Sequence, residues 1–178
     1  MKKIVFLIVT VLFITSCEKD KIGSTATEKM AGEWYVIADA IDADGNVVYE
    51  DPFGLGRFHL DTYNTSSNST TEMWINDNEN FIYSDIDDSL IFKTKINVDL
   101  SLMTFQATDA QNEYRKNKNQ VTITGGKIMY GAATTPSGMP ADSIVFTLSL
   151  SSDTLPATYG YAKYRIAGFR YTGFTADE

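Results

Sequence analysis

Val121-Thr122-Ile123-Thr124 and Lys127-Ile128-Met129-Tyr130 alternate apolar and polar side chains on either side of Gly125-Gly126. Alternation with a period of two suits a strand with one buried face, and two glycines between such segments predict a two-residue hairpin. Similar short segments fill the chain. Gly32-Glu33-Trp34-Tyr35-Val36-Ile37-Ala38 is rich in aromatic and β-branched residues and reads as the first strand. Asp42-Ala43-Asp44-Gly45-Asn46 then carries turn signals, and Val47-Val48-Tyr49 can pair back. Residues 57–63 set Phe58 and Leu60 against Arg57, His59, Asp61 and Tyr63. Residues 72–75, 81–83, 90–98 and 102–108 continue the pattern. Ile144, Phe146, Leu148 and Leu150 share one face of residues 143–151, and the aromatic residues 159–174 close the series, with kinks expected at Gly160 and Gly168. No long helix and no internal repeat interrupts it. Eight to ten short strands with hairpin-length links predict an all-β domain, a meander closing into a barrel or a sandwich.

The N-terminus has a different character. Lys2-Lys3, an apolar stretch over residues 4–14 and Thr15-Ser16-Cys17 form a positive region, a hydrophobic region and a small-residue cleavage site. That is the layout of a secretory signal peptide, and the stretch is short of the about 20 apolar residues a membrane-spanning helix needs. Ile14-Thr15-Ser16-Cys17 also resembles a bacterial lipobox, which implies that Cys17 is lipidated and becomes the new N-terminus. The expected organisation is a signal peptide over 1–16, a lipidated Cys with a polar tether over 17–27, and one β-barrel domain over 28–178. Thr27 is placed to cap a helical turn before the first strand.

Cleavage leaves 162 of the 178 residues, enough for one domain with a real core. It removes two of the 15 basic side chains, so 13 face 23 acidic ones and the mature net charge is near −10. An acidic surface excludes nucleic acid as a partner, because phosphate binding needs a basic patch. It also leaves membrane attachment to the acyl anchor, where each buried CH₂ contributes about 0.8 kcal/mol. Cys17 is the one cysteine. Once acylated it provides no disulfide, zinc ligand or nucleophile, so stability has to come from packing. The expected location is the cell envelope, lipid-anchored at the outer membrane on its periplasmic or outer side.

Gly32-Glu33-Trp34-Tyr35 resembles the Gly-x-Trp signature of lipocalins. In that fold the Trp packs at the closed end of an eight-stranded up-and-down barrel, beneath an Arg from late in the chain. The resemblance implies Gly32, Trp34 and Arg170 as the closing residues, with Arg165 as the second match. A wider set of segments, including Asp61-Thr62-Tyr63-Asn64-Thr65, Glu72-Met73-Trp74-Ile75, Pro136-Ser137-Gly138, Ala141-Asp142-Ser143-Ile144-Val145-Phe146 and Arg170-Tyr171-Thr172-Gly173-Phe174, resembles a family of Bacteroidales-type lipoproteins labelled lipid-binding putative hydrolases. It covers roughly residues 28–178. It implies a lipocalin-like (calycin-like) antiparallel up-and-down barrel, and it brings no catalytic residues with it.

A barrel of about eight strands can hold one small ligand inside. If Trp34 points inward, so do Val36, Ala38 and Ala40, which are small enough to leave room. Phe58, Leu60, Phe146, Leu148 and Tyr164 are the other candidate wall residues. The candidate ligand is a small apolar or amphipathic molecule such as a lipid. Alternatively these side chains fill the barrel as core, and the protein is an envelope interaction or structural lipoprotein whose loops at 64–70 and 132–141 meet a partner. The loop at 52–56, with Phe53 and Leu55 between glycines, can close over a barrel mouth or form a wide turn.

Hydrolysis has little support, and no catalytic residue is assigned. There is no Gly-x-Ser-x-Gly elbow. The one His, His59, shares the polar strand face with Arg57 and Asp61. Asp85, Asp87 and Asp88 form the densest acidic group, with Asp99 also available, and a solvated loop, a weak calcium site or a carboxylate pair are the three readings of it. Asp42-x-Asp44-Gly45 invites a calcium loop, but strands flank it and a hairpin turn is expected. No cofactor and no metal are expected.

Overall fold

The computed structural model describes residues 24–82, 90–114 and 119–178. The signal peptide, Cys17, most of the tether, Tyr83, Asp85, Asp87, Asp88 and the basic residues Arg115, Lys116 and Lys118 lie outside the described residues.

Nine strands follow one another: β1 (Gly32–Ile41), β2 (Val47–Tyr49), β3 (Phe58–Asn64), β4 (Glu72–Asn76), β5 (Lys93–Asp99), β6 (Thr104–Gln111), β7 (Gln120–Thr134), β8 (Pro140–Leu150) and β9 (Lys163–Arg170). Each of β3 to β9 pairs antiparallel with its neighbour in sequence, and β1 pairs with β3 on one side and β9 on the other. The sheet therefore closes into an eight-stranded up-and-down barrel without a free edge. β2 is the extra strand, paired to the last turn of β1 through Ala40 and Ile41. Among the described residues one five-residue helix, α1 (Leu155–Tyr159), and a 3₁₀ turn at Thr175–Asp177 complete it.

Alternation decides which side chains go inside. Trp34, Val36, Ala38 and Ala40 of β1 are buried, and Phe58, Leu60, Met73, Ile75, Ile96, Phe105, Ile123, Phe146, Leu148, Tyr164 and Ile166 join them in one core. His59, Asp61, Lys93 and Lys95 alternate to the outer wall.

The largest departure from the sequence reading is at Gly125-Gly126. There is no hairpin there. β7 runs straight through as a 15-residue strand, and the two glycines form a bulge. Gly125 sits at φ 63°, and a Cβ on Gly126 would collide with the Phe105 ring and carbonyl. The register of β7 slips at this point against both β6 and β8. A bulge and a two-residue turn both shift the alternation by one, so Ile123 and Ile128 face the core in either case. The partners decide: β8 is long enough to pair on both sides of the glycines. The true β7–β8 turn lies at 135–139, so much of the loop expected at 132–141 is strand.

Smaller differences have local causes. Phe81 is not in a strand but is pulled under the barrel rim by a turn. Gly160 is the left-handed cap of α1 at φ 76°, not a strand kink. Gly168 lies within β9, where its missing Cβ lets the backbone of β1 approach. The Thr27 turn forms through its carbonyl, which accepts the N–H groups of Met30 and Ala31, while the Thr27 hydroxyl makes no hydrogen bond and caps nothing.

Candidate ligand site at the barrel mouth

The two ends of the barrel are built differently. At the closed end Trp34 is fully buried, and its indole N–H donates to Thr62 Oγ1 at 2.9 Å. Thr62 Oγ1 in turn donates to the Met30 carbonyl at 2.7 Å, which fixes the 27–31 turn under the barrel with the Met30 side chain fully buried. The Arg170 guanidinium lies over the indole, its carbon 4.4 Å from the ring centre. It donates to the Ala31 carbonyl at 2.8 Å and to Asp142 Oδ2 at 3.0 Å. Gly32 leaves the space the guanidinium occupies, since a Cβ there would overlap it. Arg165 is elsewhere, paired with Asp39 on the outer wall at 2.8 Å. The C-terminus is pinned at the same end. The Asp177 carboxylate accepts hydrogen bonds from Thr172 Oγ1 and the Ser137 N–H. Those bonds, Thr172's first, hold its pKa down at about 2.

Above that base the interior is packed. Trp34, Val36, Leu60, Leu148 and Tyr164 are 0% exposed, and Ala38 and Phe146 are each 1% exposed. The small side chains of β1 therefore leave almost no exposed surface inside the barrel at these positions. Phe58, near the rim, is also buried. Close packing of this kind is the norm for small barrels.

The open end holds a pocket. It encloses about 890 Å³ and is lined by Val48, Tyr49, Glu50, Asp51, Pro52, Phe53, Ile82, Leu155, Tyr159 and Tyr161. None of the candidate wall residues named from sequence is among them. Four segments build it. β2 stands above the rim with Val47, Val48 and Tyr49 all exposed. The 50–57 loop folds back on itself because both Asp51 carboxylate oxygens accept backbone N–H groups, from Leu55 and Gly56, each at 2.9 Å. Gly54 and Gly56 supply the left-handed backbone this needs. Phe53 is thereby laid on the core, its ring 5.7 Å from that of Tyr164 and 6.2 Å from that of Phe81. On the far side, α1 presents Leu155 and Tyr159, and Gly160 turns the chain so that Tyr161 meets Tyr49 edge-on at 6.4 Å.

Two buried polar groups brace this end. The hydroxyls of Tyr161 and Tyr164 lie 2.7 Å apart, and Tyr164 donates to Asp153 Oδ2 at 2.6 Å. Burial, with the carboxylate beside it, pushes the Tyr164 phenol far above its ordinary pKa, so it stays a donor. Asp77 is the other. It is fully buried, and its carboxylate accepts the N–H groups of Glu79 and Phe81. Those bonds draw Phe81 into the core, but desolvation outweighs them and raises the Asp77 pKa to about 7. Ile82 is held at φ 44°, a conformation that strains a β-branched side chain.

A second depression of about 430 Å³ lies on the barrel wall at the β7 bulge, around Phe105, with a polar rim of Asn97, Asp99, Thr104, Gln106 and Lys127. It is half the size of the mouth pocket, and Phe105, with the neighbouring Gly126, is part of the packed wall.

Of the residues weighed for catalysis, those among the described residues do not assemble. His59 is on the outer wall, its Nδ1 2.7 Å from Glu33 Oε1 but off the hydrogen-bond axis, and its ring lies between those of Tyr35 and Tyr171. Asp99 accepts from the Ser101 hydroxyl and the Ser101 and Leu102 N–H groups in the β5–β6 turn. Asp42 accepts from Asp44 and Asn46 within the β1–β2 turn, so the 42–46 segment is a hairpin turn. The Asn46 amide contributes most to holding the Asp42 pKa below its usual value. Among the described residues no three His, Cys, Asp or Glu side chains are grouped to hold a metal ion.

The sequence reading reached the 52–56 loop but missed Val48, Tyr49, Tyr159 and Tyr161. One signal was present. Val47-Val48-Tyr49 is apolar on both faces, which a rim strand packed on one face only leaves exposed.

No curated protein matches the chain. A family model described as lipid-binding putative hydrolase matches residues 19–175, which spans the whole barrel from before the first turn to the last 3₁₀ turn. The chain belongs to this lipid-binding putative hydrolase family.

Proposed function

We propose that this is an envelope lipoprotein, anchored through Cys17, whose barrel binds a small apolar or amphipathic ligand such as a lipid at its mouth. The observation that carries the reading is the mouth pocket: about 890 Å³, open, with walls of Val48, Phe53, Leu155 and three tyrosines. That volume suits a small ligand, and exposed apolar side chains that line a concavity are what such a ligand covers. Membership of a lipid-binding family supports the same ligand class. Of the wall residues named from sequence, Tyr164 and Phe58 back the pocket floor, through Phe53 and Phe81. Trp34, Val36, Ala38, Leu60, Phe146 and Leu148 reach a ligand only if the interior opens.

Native mass spectrometry of the full chain purified from an envelope extract, followed by organic extraction, tests this. Covalent acyl groups on Cys17 stay with the polypeptide, whereas a bound lipid is released. A stoichiometric extracted lipid is the expected result. An N-terminal peptide without acyl mass, or unchanged membrane partition in Cys17→Ser, would overturn the anchoring half.

The packed interior supports a second reading, an interaction lipoprotein with a filled barrel that presents its loops to another envelope component. A chain that releases no lipid after gentle purification favours it.

A further inference from the structure

We propose that the mouth pocket selects an amphiphile with a cationic ammonium head and rejects one with an anionic head. This rests on the pocket being the ligand site and specifies the head it takes. Among the described residues the charged side chains lining the pocket are Glu50 and Asp51, with no Lys or Arg beside them in the lining. Asp51 is occupied in part by the Leu55 and Gly56 N–H groups. Glu50 is exposed at the rim, between Tyr49 and Asp51. Three tyrosines line the same pocket. Tyr49 and Tyr159 are 47% and 61% exposed, and Tyr161 meets Tyr49 edge to face. The Tyr49 hydroxyl donates to the Tyr159 carbonyl at 3.3 Å, which holds β2 against the end of α1. Aromatic faces beside a carboxylate are the chemistry that recognises an ammonium group, through the ring quadrupole and the opposite charge together. Arg165, on the outer wall, is paired with Asp39. An apolar tail lies along Val48, Phe53 and Leu155 while the head stays at the rim. A carboxylate or sulfate head in the same place meets two like charges and no donor cation.

The test uses three single-chain probes with the same dodecyl tail, kept below micelle formation: trimethylammonium, maltoside and carboxylate. Each displaces the neutral dye N-phenyl-1-naphthylamine from the full chain at physiological salt. The trimethylammonium probe is expected to bind about tenfold more tightly than the carboxylate. Glu50→Gln should bring the two within about threefold, a larger change than any it makes to maltoside binding. Tyr159→Leu, which keeps apolar area but removes the ring, should weaken the ammonium probe more than the maltoside. Glu28→Gln removes the same charge at the closed end, and the preference should survive it, which separates the pocket from the chain's net negative charge. Equal binding of all three heads, or a preference that Glu50→Gln leaves intact and Glu28→Gln erases, overturns the selectivity while leaving the pocket. Failure of every probe to displace the dye overturns both.

Discussion

The closed end and the mouth of this barrel use the same residue types to opposite ends. Both stack aromatic rings with a polar group beside them. At the closed end the indole of Trp34 is capped by Arg170, its N–H donates to Thr62 Oγ1, and the Thr62 hydroxyl donates to the Met30 carbonyl. The indole N–H and the Thr62 hydroxyl both have partners and the ring is fully covered, while the exposed apolar side chains at this end, Met139 and Phe174, line neither pocket. At the mouth the rings of Tyr49 and Tyr159 are exposed, Phe53 is half-buried, and a buried carboxyl holds the turn behind them. A closed, satisfied end fixes the barrel. An end with uncovered apolar surface has something left to bind.

The comparison breaks most clearly at Trp34. Trp34→Ala removes a fully buried indole together with the platform for Arg170 and is expected to cost about 3–5 kcal/mol. The chemical denaturation midpoint reads this. An unchanged midpoint would mean that the closed end does not carry the stability assigned to it.

The next largest effect lies at the mouth and depends on pH. The Asp77 carboxyl has a pKa of about 7 in the fold and about 3.8 in the unfolded chain. Between those values the folded state holds a proton that the unfolded state has lost. This contribution is therefore full below about pH 4 and is lost as pH rises to about 7, a change on the order of a few kcal/mol. Asp77→Asn stays neutral throughout and should flatten that slope. It should also lose about 1 kcal/mol at low pH, since its amide nitrogen cannot accept an N–H. Urea unfolding at several pH values measures both, and a slope that survives the substitution would remove Asp77 as its source.

How much of this was readable in the chain follows from the range of the signals. Alternation and turn residues are local, so β1, the β1–β2 turn and the inward sets on β3 and β8 were legible. The Trp34–Arg170 contact spans most of the chain, and it was reachable only because the resemblance supplied its partner. Gly125-Gly126 shows the limit. A hairpin and a bulge give the same local pattern, and the choice between them is made by β8, whose residues lie about twenty positions away. The mouth pocket was harder still. Its walls come from β2, the 50–57 loop, Ile82 and α1, and no local signal states that Gly160 turns Tyr161 toward Tyr49. The fold was therefore more legible than the site.

Gly168 sharpens the seam that joins the two ends. A Cβ there would strike the Tyr35 carbonyl and lie 2.7 Å from Val36 Cα, both backbone atoms of β1. Neither can move without opening the β1–β9 closure, so Gly168→Ala should cost about 1–3 kcal/mol. Thermal unfolding tests this. A neutral result would show that the closure slides rather than locks.

The smallest stability effect is the most informative about function. Val48 is 40% exposed and lines the pocket from β2, outside the closed barrel. Replacing it by Ser removes apolar wall without opening a cavity in the core, so the unfolding midpoint should move by no more than about 0.5 kcal/mol. If the mouth is the binding surface, affinity for the dodecyl maltoside probe should nevertheless fall about fivefold, since a lost apolar contact of this size is worth about 1 kcal/mol. The core shows the reverse. A truncation there lowers stability and changes binding only if the fold is lost. Val48→Ser with unaltered affinity would place the ligand away from the mouth, and would make the packed interior, opened by some motion of the rim, the place to look.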